Sequence, residues 1–431
     1  MRKMKDSGIE WIGEIPEDWN IDRIGSHFSE IKEKNTNNLY QNALQFKMGN
    51  IISKPKKWEI DEISDIYSAY TIVHKGDIMI NGLNLEFDFI TQRVAMVREK
   101  GIITSAYIAL KPNHTVHSEY ICYLFKSYDY MKAFHNMGKG LRKILNYSEL
   151  KVKPIILPSL FEQQKISAFL DRKCTEIDSV ISKTKATIEE YKKLKQSVIT
   201  QAVTKGIIPN RPMKDSGIEW IGEIPQEWKL IPFRYVLKER NEKNSPIKSY
   251  ERLSLSIDLG VTTYSEKTTN LDRFKEDFEQ YKLAHIGDLV MNSMNMIVGA
   301  TGVSDYYGCV SPVYYTFYDE TENHITAKFC EYIFRSKAML RVLYSLGKGI
   351  YAIVRGDDRV NTCRLKVAKE DLKSLKIPLP MVQEQQEIVN YLDEKCSAID
   401  TLIEKKQQLL TEMENYKKAV IYEYVTGKKE V

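Results

Sequence analysis

The chain has 431 residues, of which 43% are hydrophobic, and this length is enough for two to four domains that each bury a core. Its six cysteines include no C-x-x-C pair, which argues against a zinc knuckle and against the disulfide frame of a small secreted protein. The formal charge of +5 permits nucleic-acid binding without requiring it. No signal-peptide core and no apolar run of about 18 residues are present, so we expect a cytoplasmic protein without a membrane segment.

The first element of the sequence occurs twice. Met4–Trp19 reads MKDSGIEWIGEIPEDW, and Met213–Trp228 reads MKDSGIEWIGEIPQEW. Further pairs follow in the same order, among them GDIMIN at Gly76–Asn81 and GDLVMN at Gly287–Asn292, whereas the stretches between them differ. Solenoid repeats have periods of only about 20–50 residues, so a repeat separated by half of the chain indicates a duplicated domain.

A long helix is predicted after each globular stretch. Apolar residues alternate there at spacings of four and three, which is the a/d seam of a coiled coil. Ser159 is a candidate N-cap with Glu162 at the third helical position, and Gly206 is a C-terminal stop, so we expect the first helix to span Leu160–Lys205. The seam residues are Leu170, Cys174, Ile177, Ile181, Ile188 and Val198 in the first helix, and Leu392, Cys396, Ile399, Ile403, Leu410 and Val420 in the second.

The two helices could be arranged in three ways. Each could pack only on its own domain, but a seam kept over four heptads favours pairing of helix with helix. A folded domain separates the two helices, so the chain can return and lay the second beside the first in antiparallel orientation. A parallel pair across two chains stays open. At a rise of about 1.5 Å per residue, the first seam would form a rod of about 50 Å, which suits a spacer.

The predicted fold class is α/β, with two tandem α/β domains that are separated and joined by an antiparallel coiled coil. The segments in chain order are a first globular domain at 1–158, a helix at 159–206, a linker at 207–212, a second globular domain at 213–380, a helix at 381–428 and a tail at 429–431.

Taken together, these motifs resemble the specificity subunit of type I restriction–modification systems. The resemblance spans essentially the whole chain. It rests on DSGIEWIGEIPEDW and its repeat, on Gly-Lys-Gly before a strand ending in PIILP or IPLP, and on EQQKI or EQQEI at the start of a long helix. It implies that each globular domain is a target recognition domain for one half of a bipartite DNA site. It also implies that the helices set the spacing of those domains and dock partner subunits.

Residue types that read bases occur at equivalent places in both halves. Arg and Lys pair with guanine and Asn and Gln with adenine in the major groove, whereas phosphate contacts only position a protein. Two structural alternatives stay open: Asn81 and Asn292 as turn residues that close a strand, and each Gly-Lys-Gly as a plain surface turn. The candidate DNA-binding residues are Asn81, Asn84, Gln92, Arg93, Lys139, Arg142 and Lys143 in the first half, and Asn292, Ser293, Asn295, Lys348, Tyr351 and Arg355 in the second.

We predict no catalytic residue, metal site or cofactor in this chain. Ala133 and Val342 stand where a P-loop would need glycine, and the histidines lack metal-ligand spacing. The resemblance implies a non-catalytic subunit that binds double-stranded DNA and methyltransferase subunits, two of them in our interpretation, which bring S-adenosylmethionine and flip the target adenine. Restriction subunits, with ATP and magnesium, would join through the assembled complex.

Two other functions are weighed against this one. The chain could be a structural coiled-coil adaptor that binds protein and no DNA, and sequence-specific DNA binding would distinguish the two. It could also be half of a fused restriction enzyme with its own active site, but the missing catalytic motifs count against that alternative.

Overall fold

The computed structural model describes residues 2–54, 64–85, 92–138, 143–257, 259–267, 277–350 and 364–431. The chain forms two compact units. Unit 1 contains Met1–Lys185 and Gln408–Val431, and unit 2 contains Ala186–Gln407. Each unit therefore combines one sequence repeat with a part of both long helices. Within the described ranges, none of the helices combines the length and the apolar character that a membrane span requires.

Unit 1 is built from short strands and short helices that precede one long helix. Its strands are β1 (Met4–Asp6), β2 (Glu14–Pro16), β3 (Asn20–Arg23), β4 (Phe28–Glu30), β5 (Leu44–Lys47), β6 (Asn50–Ser53), β7 (Thr71–Val73), β8 (Ile78–Ile80), β9 (Val94–Met96), β10 (Gly101–Ile103), β11 (Ile108–Pro112) and β12 (Pro154–Leu157). Its helices are α1 (Ile24–His27), α2 (Ser64–Ser68), α3 (Ser118–Tyr130), α4 (Tyr147–Leu150) and the first part of α5 (Leu160–Lys205), with a 3-10 helix at Ala133–Asn136.

A four-stranded antiparallel sheet of order β4-β11-β8-β9 lies at the centre of unit 1. Successive residues of a strand face opposite sides of its sheet. Accordingly, Ile78 and Ile80 of β8 pack in the cluster that contains α3, whereas Met79 packs in a second cluster with the β5–β6 hairpin. Both faces of β8 are thus buried, which explains why Ile78–Ile80 of the GDIMIN motif form a continuous apolar run rather than an alternating pattern.

Unit 2 repeats this construction. Its strands are β13 (Met213–Asp215), β14 (Glu223–Pro225), β15 (Lys229–Pro232), β16 (Lys238–Arg240), β17 (Leu253–Ser256), β18 (Gly260–Thr263), β19 (Lys282–Ala284), β20 (Leu289–Asn292), β21 (Thr301–Val303), β22 (Gly308–Val310), β23 (Tyr314–Tyr318), β24 (Gly347–Ile350), β25 (Arg364–Val367) and β26 (Lys376–Leu379). Its helices are the second part of α5, α6 (Tyr264–Lys267), α7 (Ile325–Arg335), α8 (Lys337–Leu346), α9 (Lys369–Ser374) and the first part of α10 (Val382–Val425), with 3-10 helices at Phe233–Tyr235, Phe278–Gln280, Met296–Val298 and Glu322–His324.

The central sheet of unit 2 has the order β16-β23-β20-β21, so each strand matches one strand of the unit 1 sheet. Leu289 and Met291 of β20 pack with α7 and α8, and Val290 packs with the β17–β18 hairpin. β8 and β20 are therefore equivalent strands that carry the two GD motifs. The predicted pair of α/β domains is confirmed.

The long helices α5 and α10 pack together, and α5 has the predicted bounds. In unit 1, Lys417 of α10 forms an ion pair with Asp178 of α5 at 2.6 Å, and Glu414 one with Lys185 at 3.4 Å. The residue number rises along α5 as it falls along α10, so the two helices run antiparallel within one chain.

The same packing occurs in unit 2, where Lys195 of α5 forms an ion pair with Asp400 of α10 at 2.6 Å. Such exposed ion pairs contribute about 0–1 kcal/mol each, so the apolar seam supplies most of the stabilisation. The twelve predicted seam residues are all buried or half-buried.

In unit 1, an Arg-Glu-Trp cluster holds the start of the repeat against the first turn of α5. The Ser159 hydroxyl accepts a hydrogen bond from the Glu162 amide at 3.2 Å, as an N-cap does. The Glu162 carboxylate accepts hydrogen bonds from the Trp19 indole at 3.1 Å and from Arg2 at 2.5 Å. The hydrogen bonds of Arg2 to Glu162 and to Asp18 raise the pKa of the Arg2 guanidinium.

The cluster recurs at the first turn of α10 in unit 2. Glu384 accepts a hydrogen bond from the Trp228 indole at 2.9 Å and forms an ion pair with Arg211, which also contacts Glu227 at 3.0 Å. The Arg211 side chain is 6% exposed, whereas that of Arg2 is 23% exposed. The unit 2 cluster is therefore the more completely removed from water.

We expect Glu384→Ala to destabilise the protein more than Glu162→Ala does. Glu384→Ala takes one partner from the buried Arg211 and leaves it with Glu227, which is 60% exposed, so this change should cost about 3 kcal/mol. Glu162→Ala likewise leaves Arg2 with the exposed Asp18, but Arg2 itself is more exposed to water, so this change should cost about 1 kcal/mol. Calorimetric unfolding of the two variants measures the difference. An equal loss of stability would show that the burial of Arg211 does not strengthen its cluster.

Candidate nucleic-acid interface

The loop after β8 is organised by Arg93. The Arg93 guanidinium donates hydrogen bonds to the carbonyl oxygens of Asn81 at 3.0 Å, Leu83 at 2.7 Å and Asn84 at 3.2 Å. Arg93 is completely buried. Its side chain therefore lies beneath the loop and holds three backbone carbonyls in place.

Asn81 has the geometry of a turn residue. Its side-chain oxygen accepts a hydrogen bond from the Leu83 amide at 3.1 Å, and its own amide donates to the Arg93 carbonyl at 2.8 Å. The side chain of Asn81 is half-buried. The turn alternative therefore accounts for the observed contacts of Asn81.

Three polar side chains of unit 1 are exposed around the same loop. They belong to Asn84, Gln92 and Lys143. Asn84 has a φ of 51°, in the left-handed region, and the Leu85 amide donates to the Lys143 carbonyl at 3.3 Å. This bond joins residues that are far apart in the sequence, so the fold brings both predicted segments of unit 1 together at Lys143.

A buried acid lies under this loop. The Asp129 carboxylate accepts a hydrogen bond from the Arg93 amide at 2.8 Å. Burial raises the pKa of Asp129, and this hydrogen bond and the nearby Arg93 charge act in the opposite direction. The loop thus rests on an acidic and a basic side chain that both lie in the core.

In unit 2, the loop after β20 begins with a turn of the same kind. The Asn292 side chain accepts a hydrogen bond from the Met294 amide at 3.1 Å, and the Asn292 amide donates to the Ala300 carbonyl at 3.1 Å. Ser293 is completely buried, and Asn295 is exposed at the start of the Met296–Val298 3-10 helix. Of the three predicted residues of this loop, Asn295 therefore presents its side chain to solvent.

Lys348 lies in a strand. β24 pairs antiparallel with β25, which places Lys348 opposite Lys366, so the surface-turn interpretation of this second Gly-Lys-Gly is wrong. The Lys348 side chain is 77% exposed, with its Nζ 3.0 Å from Asp371. The Val367 amide of β25 donates to the Ser293 carbonyl at 3.0 Å, so this hairpin adjoins the loop after β20.

The remaining candidates, Lys139, Arg142, Tyr351 and Arg355, lie outside the described residues. Among the residues that the structure does describe, no cluster of three or more His, Cys, Asp or Glu side chains could hold a metal ion.

Sequence reasoning missed the two hairpin tips that border these loops. The tip of β5–β6 contains Met48 and Gly49, and Gly49 lies against Gln92. In unit 2, the carbonyl of Ile257 at the β17–β18 tip accepts a hydrogen bond from Arg335 at 2.8 Å, and Ile257 also approaches Gly299 of the loop. The only signal in the sequence was a glycine between two short apolar segments.

Two α/β units with a polar loop at the end of an equivalent central strand, each associated with the same pair of long helices, define a protein built from a duplicated α/β domain. The chain belongs to the family of the type I restriction modification DNA specificity domain, which matches residues 16–190 and 262–412. It is the DNA specificity subunit, and a non-catalytic component, of a type I restriction–modification system. This assignment favours a DNA specificity subunit over a structural coiled-coil adaptor that binds only protein.

Relatives agree over almost the whole chain. The putative type I restriction enzyme MjaX specificity subunit of Methanocaldococcus jannaschii is 24% identical over 440 residues, covering 97% of this chain and 95% of that protein. The type I restriction enzyme MjaVIII specificity subunit of the same organism is 23% identical over 429 residues, covering 96% and 93%.

A solved structure has the same fold. Its subject is the structural basis of complex assembly and conformational transition of the type I R-M system. The matching chain is 15% identical, with a TM-score of 0.68 over 96% of this chain and 99% of that chain.

Proposed function

We propose that each unit reads one half of a bipartite site in double-stranded DNA through the loop that follows its central strand. The observation that carries this proposal is the repetition of that loop. The Asn81 amide donates to the Arg93 carbonyl, and the Asn292 amide donates to the Ala300 carbonyl at the equivalent place. The turn that opens the loop and this backbone hydrogen bond are common to both units, while the exposed residues differ, which suits two readers of different sequences.

The exposed residues of each loop take separate roles in this proposal. Asn84 and Gln92 in unit 1, and Asn295 in unit 2, have amides that can pair with adenine in the major groove. Lys143 and Lys348 are suited to phosphate contacts, which fix the position of the protein on the duplex. The proposed roles of Lys139, Arg142, Tyr351 and Arg355 in DNA binding rest on the sequence alone.

The buried candidates have supporting roles in this proposal. The Arg93 guanidinium and the Ser293 carbonyl hold backbone segments beneath the two loops. Neither side chain is exposed to a duplex that approaches from solvent.

We further infer that the paired helices set the spacing of the two half-sites and dock two methyltransferase subunits. In support, α5 and α10 are each continuous helices, and a repeated Arg-Glu-Trp cluster holds the first turn of each. The methyltransferase subunits would bring S-adenosylmethionine and extrude the target adenine, since chemistry on a base requires it to leave the stack. Restriction subunits would add ATP- and magnesium-dependent cleavage to the assembled complex in the cytoplasm.

Methylome sequencing tests the two-reader proposal. A host that expresses this chain with its methyltransferase partner should carry modified adenines in both halves of a bipartite motif. The same host without this chain should lack that modification. A single continuous motif would contradict the assignment of one half-site to each unit.

We also expect the purified chain alone to neither methylate nor cleave DNA. The physical reason is that its sequence lacks the phosphate cradle and the cofactor loop that those reactions need. Incubation of the chain with DNA, S-adenosylmethionine, ATP and magnesium measures both activities. Addition of the methyltransferase subunit is the positive control for methylation, and addition of both methyltransferase and restriction subunits is the positive control for cleavage. Turnover by the chain without partners would disprove the non-catalytic role.

A further inference from the structure

The tip of the β5–β6 hairpin has an unusual residue at a strained position. The strands pair with Lys47 opposite Asn50, so Met48 and Gly49 form a two-residue turn. Both have positive φ, +47° for Met48 and +70° for Gly49. Positive φ at both central residues is typical of a type I′ turn, in which Asn-Gly is strongly preferred over a residue such as Met.

Met48 gains little burial in return for this conformation. Its side chain is 80% exposed. The turn is closed instead by Asn50, whose side-chain amide donates to the Met48 carbonyl at 3.1 Å. A non-glycine residue with positive φ whose side chain stays in water is a departure from what the fold needs, and such departures concentrate at functional sites.

Gln92 lies against Gly49, the residue that follows Met48 in this turn. A Cβ atom on Gly49 would lie 2.8 Å from the Cβ of Gln92, so only glycine allows the Gln92 side chain to lie over the turn. Gln92 is itself exposed and precedes Arg93, which holds the neighbouring loop. The hairpin tip thus combines the exposed apolar side chain of Met48 with an exposed carboxamide that lies against the adjacent glycine.

We propose that Met48 and Gln92 together read one A·T base pair in the half-site of unit 1. In the major groove, adenine offers N7 and N6, which match the two ends of a carboxamide, and its partner thymine adds a C5-methyl group that favours apolar contact. A flexible, polarisable methionine suits that methyl group. This inference rests on the proposed function, because it assumes that unit 1 reads DNA.

The central variant is Met48→Gly, which removes the side chain and permits the same positive φ. The measured quantity is the affinity of the full chain, with its methyltransferase partner, for a duplex that carries the motif found by methylome sequencing. We expect about fivefold weaker binding, which corresponds to about 1 kcal/mol for a lost apolar contact. Met48→Asn, which the turn favours, should weaken binding similarly without lowering the melting temperature.

The control is Met381→Gly, because Met381 is 82% exposed but lies before α10 in unit 2. We expect this variant to bind like the unaltered chain. It reports the effect of losing an exposed methionine as such.

Uracil in place of thymine identifies the base pair, since uracil lacks only the C5-methyl group. Substituting each thymine of the unit 1 half-site in turn should reveal one position that weakens binding about fourfold. The Met48→Gly chain should show no further loss at that position, because the variant and the uracil remove the same contact. Gln92→Ala should relax the preference for adenine at the same base pair.

The outcomes separate this inference from the proposed function. Two outcomes would overturn the role of Met48 while a bipartite motif still supports two readers. One is that Met48→Gly and uracil weaken DNA binding independently of each other. The other is that Met48→Gly binds DNA as tightly as the unaltered chain. Equal weakening by Met381→Gly would also overturn it. Absence of a bipartite motif with the unaltered chain would instead refute the proposed function itself.

Discussion

Replacing Arg93 by Met should lower the stability of unit 1 by about 3 kcal/mol and abolish sequence-specific binding of the complete site. The variant has a side chain of similar length but leaves the carbonyls of Asn81, Leu83 and Asn84 without their donor. An unsatisfied buried polar group costs about 1–3 kcal/mol, and partial rehydration of this loop limits the sum. Loss of the Arg93 charge would also raise the pKa of Asp129 further.

Calorimetry and DNA binding together separate a holding role from a reading role. If Arg93 contacted a base, Arg93→Met would weaken the base preference at one position of the motif and leave the stability of the protein unchanged. Arg93→Lys should lose almost as much stability and DNA binding as Arg93→Met, because an ammonium group cannot reproduce the planar fork of donors.

Arg335→Met is the matched control in unit 2. The Arg335 guanidinium contacts Glu331 at 2.9 Å and the Ile257 carbonyl at 2.8 Å, but it is partly exposed. We therefore expect a smaller loss of stability, about 1 kcal/mol. If Arg335→Met lost more stability than Arg93→Met, complete burial of the guanidinium would not be what determines the loss of stability.

The repeat and the long helices could be predicted because their signals are local and periodic. The spacing of Leu170, Cys174 and Ile177, continued over four heptads, predicts a helix from local residues alone, and Ser159 and Gly206 mark its ends. Likewise, Ile78–Ile80 within GDIMIN is a continuous apolar run because β8 is buried on both faces. Patterns of this kind depend on neighbouring residues alone, so the sequence is enough to recognise them.

The candidate interface was harder to predict because burial depends on distant partners. Arg93 and Gln92 are neighbours of similar polarity, yet the first is buried under carbonyls and the second is exposed. The strand at Lys348 exists because β25 pairs with it, and a local turn rule contains no such partner. Met48 could not be identified from the sequence, because its exposure and its positive φ are properties of the folded chain.

Lengthening both long helices by one heptad should move the two half-sites apart by about three base pairs. We would insert seven residues after Lys185 in α5 and after Gln407 in α10, where each helix passes from one unit to the other. Seven residues add about 10 Å, which equals about three base pairs along the duplex. Seven residues are also close to two helical turns, so the inserted seams would still face each other and the fold should survive.

The added length also turns one half-site around the duplex by about a third of a helical turn, since B-DNA has about 10.5 base pairs per turn. Affinity should therefore fall unless the DNA twists to compensate. Methylome sequencing of the lengthened protein should still recover the same two half-site sequences, now with a spacer that is longer by about three base pairs.

An insertion of seven residues after Ile208 is the matched control, because it lengthens the linker between α5 and β13 and leaves both helices unaltered. The linker variant should keep the original spacer, because a flexible connection adds reach without fixing a distance. The ion pairs of Lys417 with Asp178 and of Lys195 with Asp400 lie on either side of the helix insertions, so both ends of the coil should keep their register. An unchanged spacer with full activity in the lengthened protein would mean that the helices do not set the distance between the half-sites.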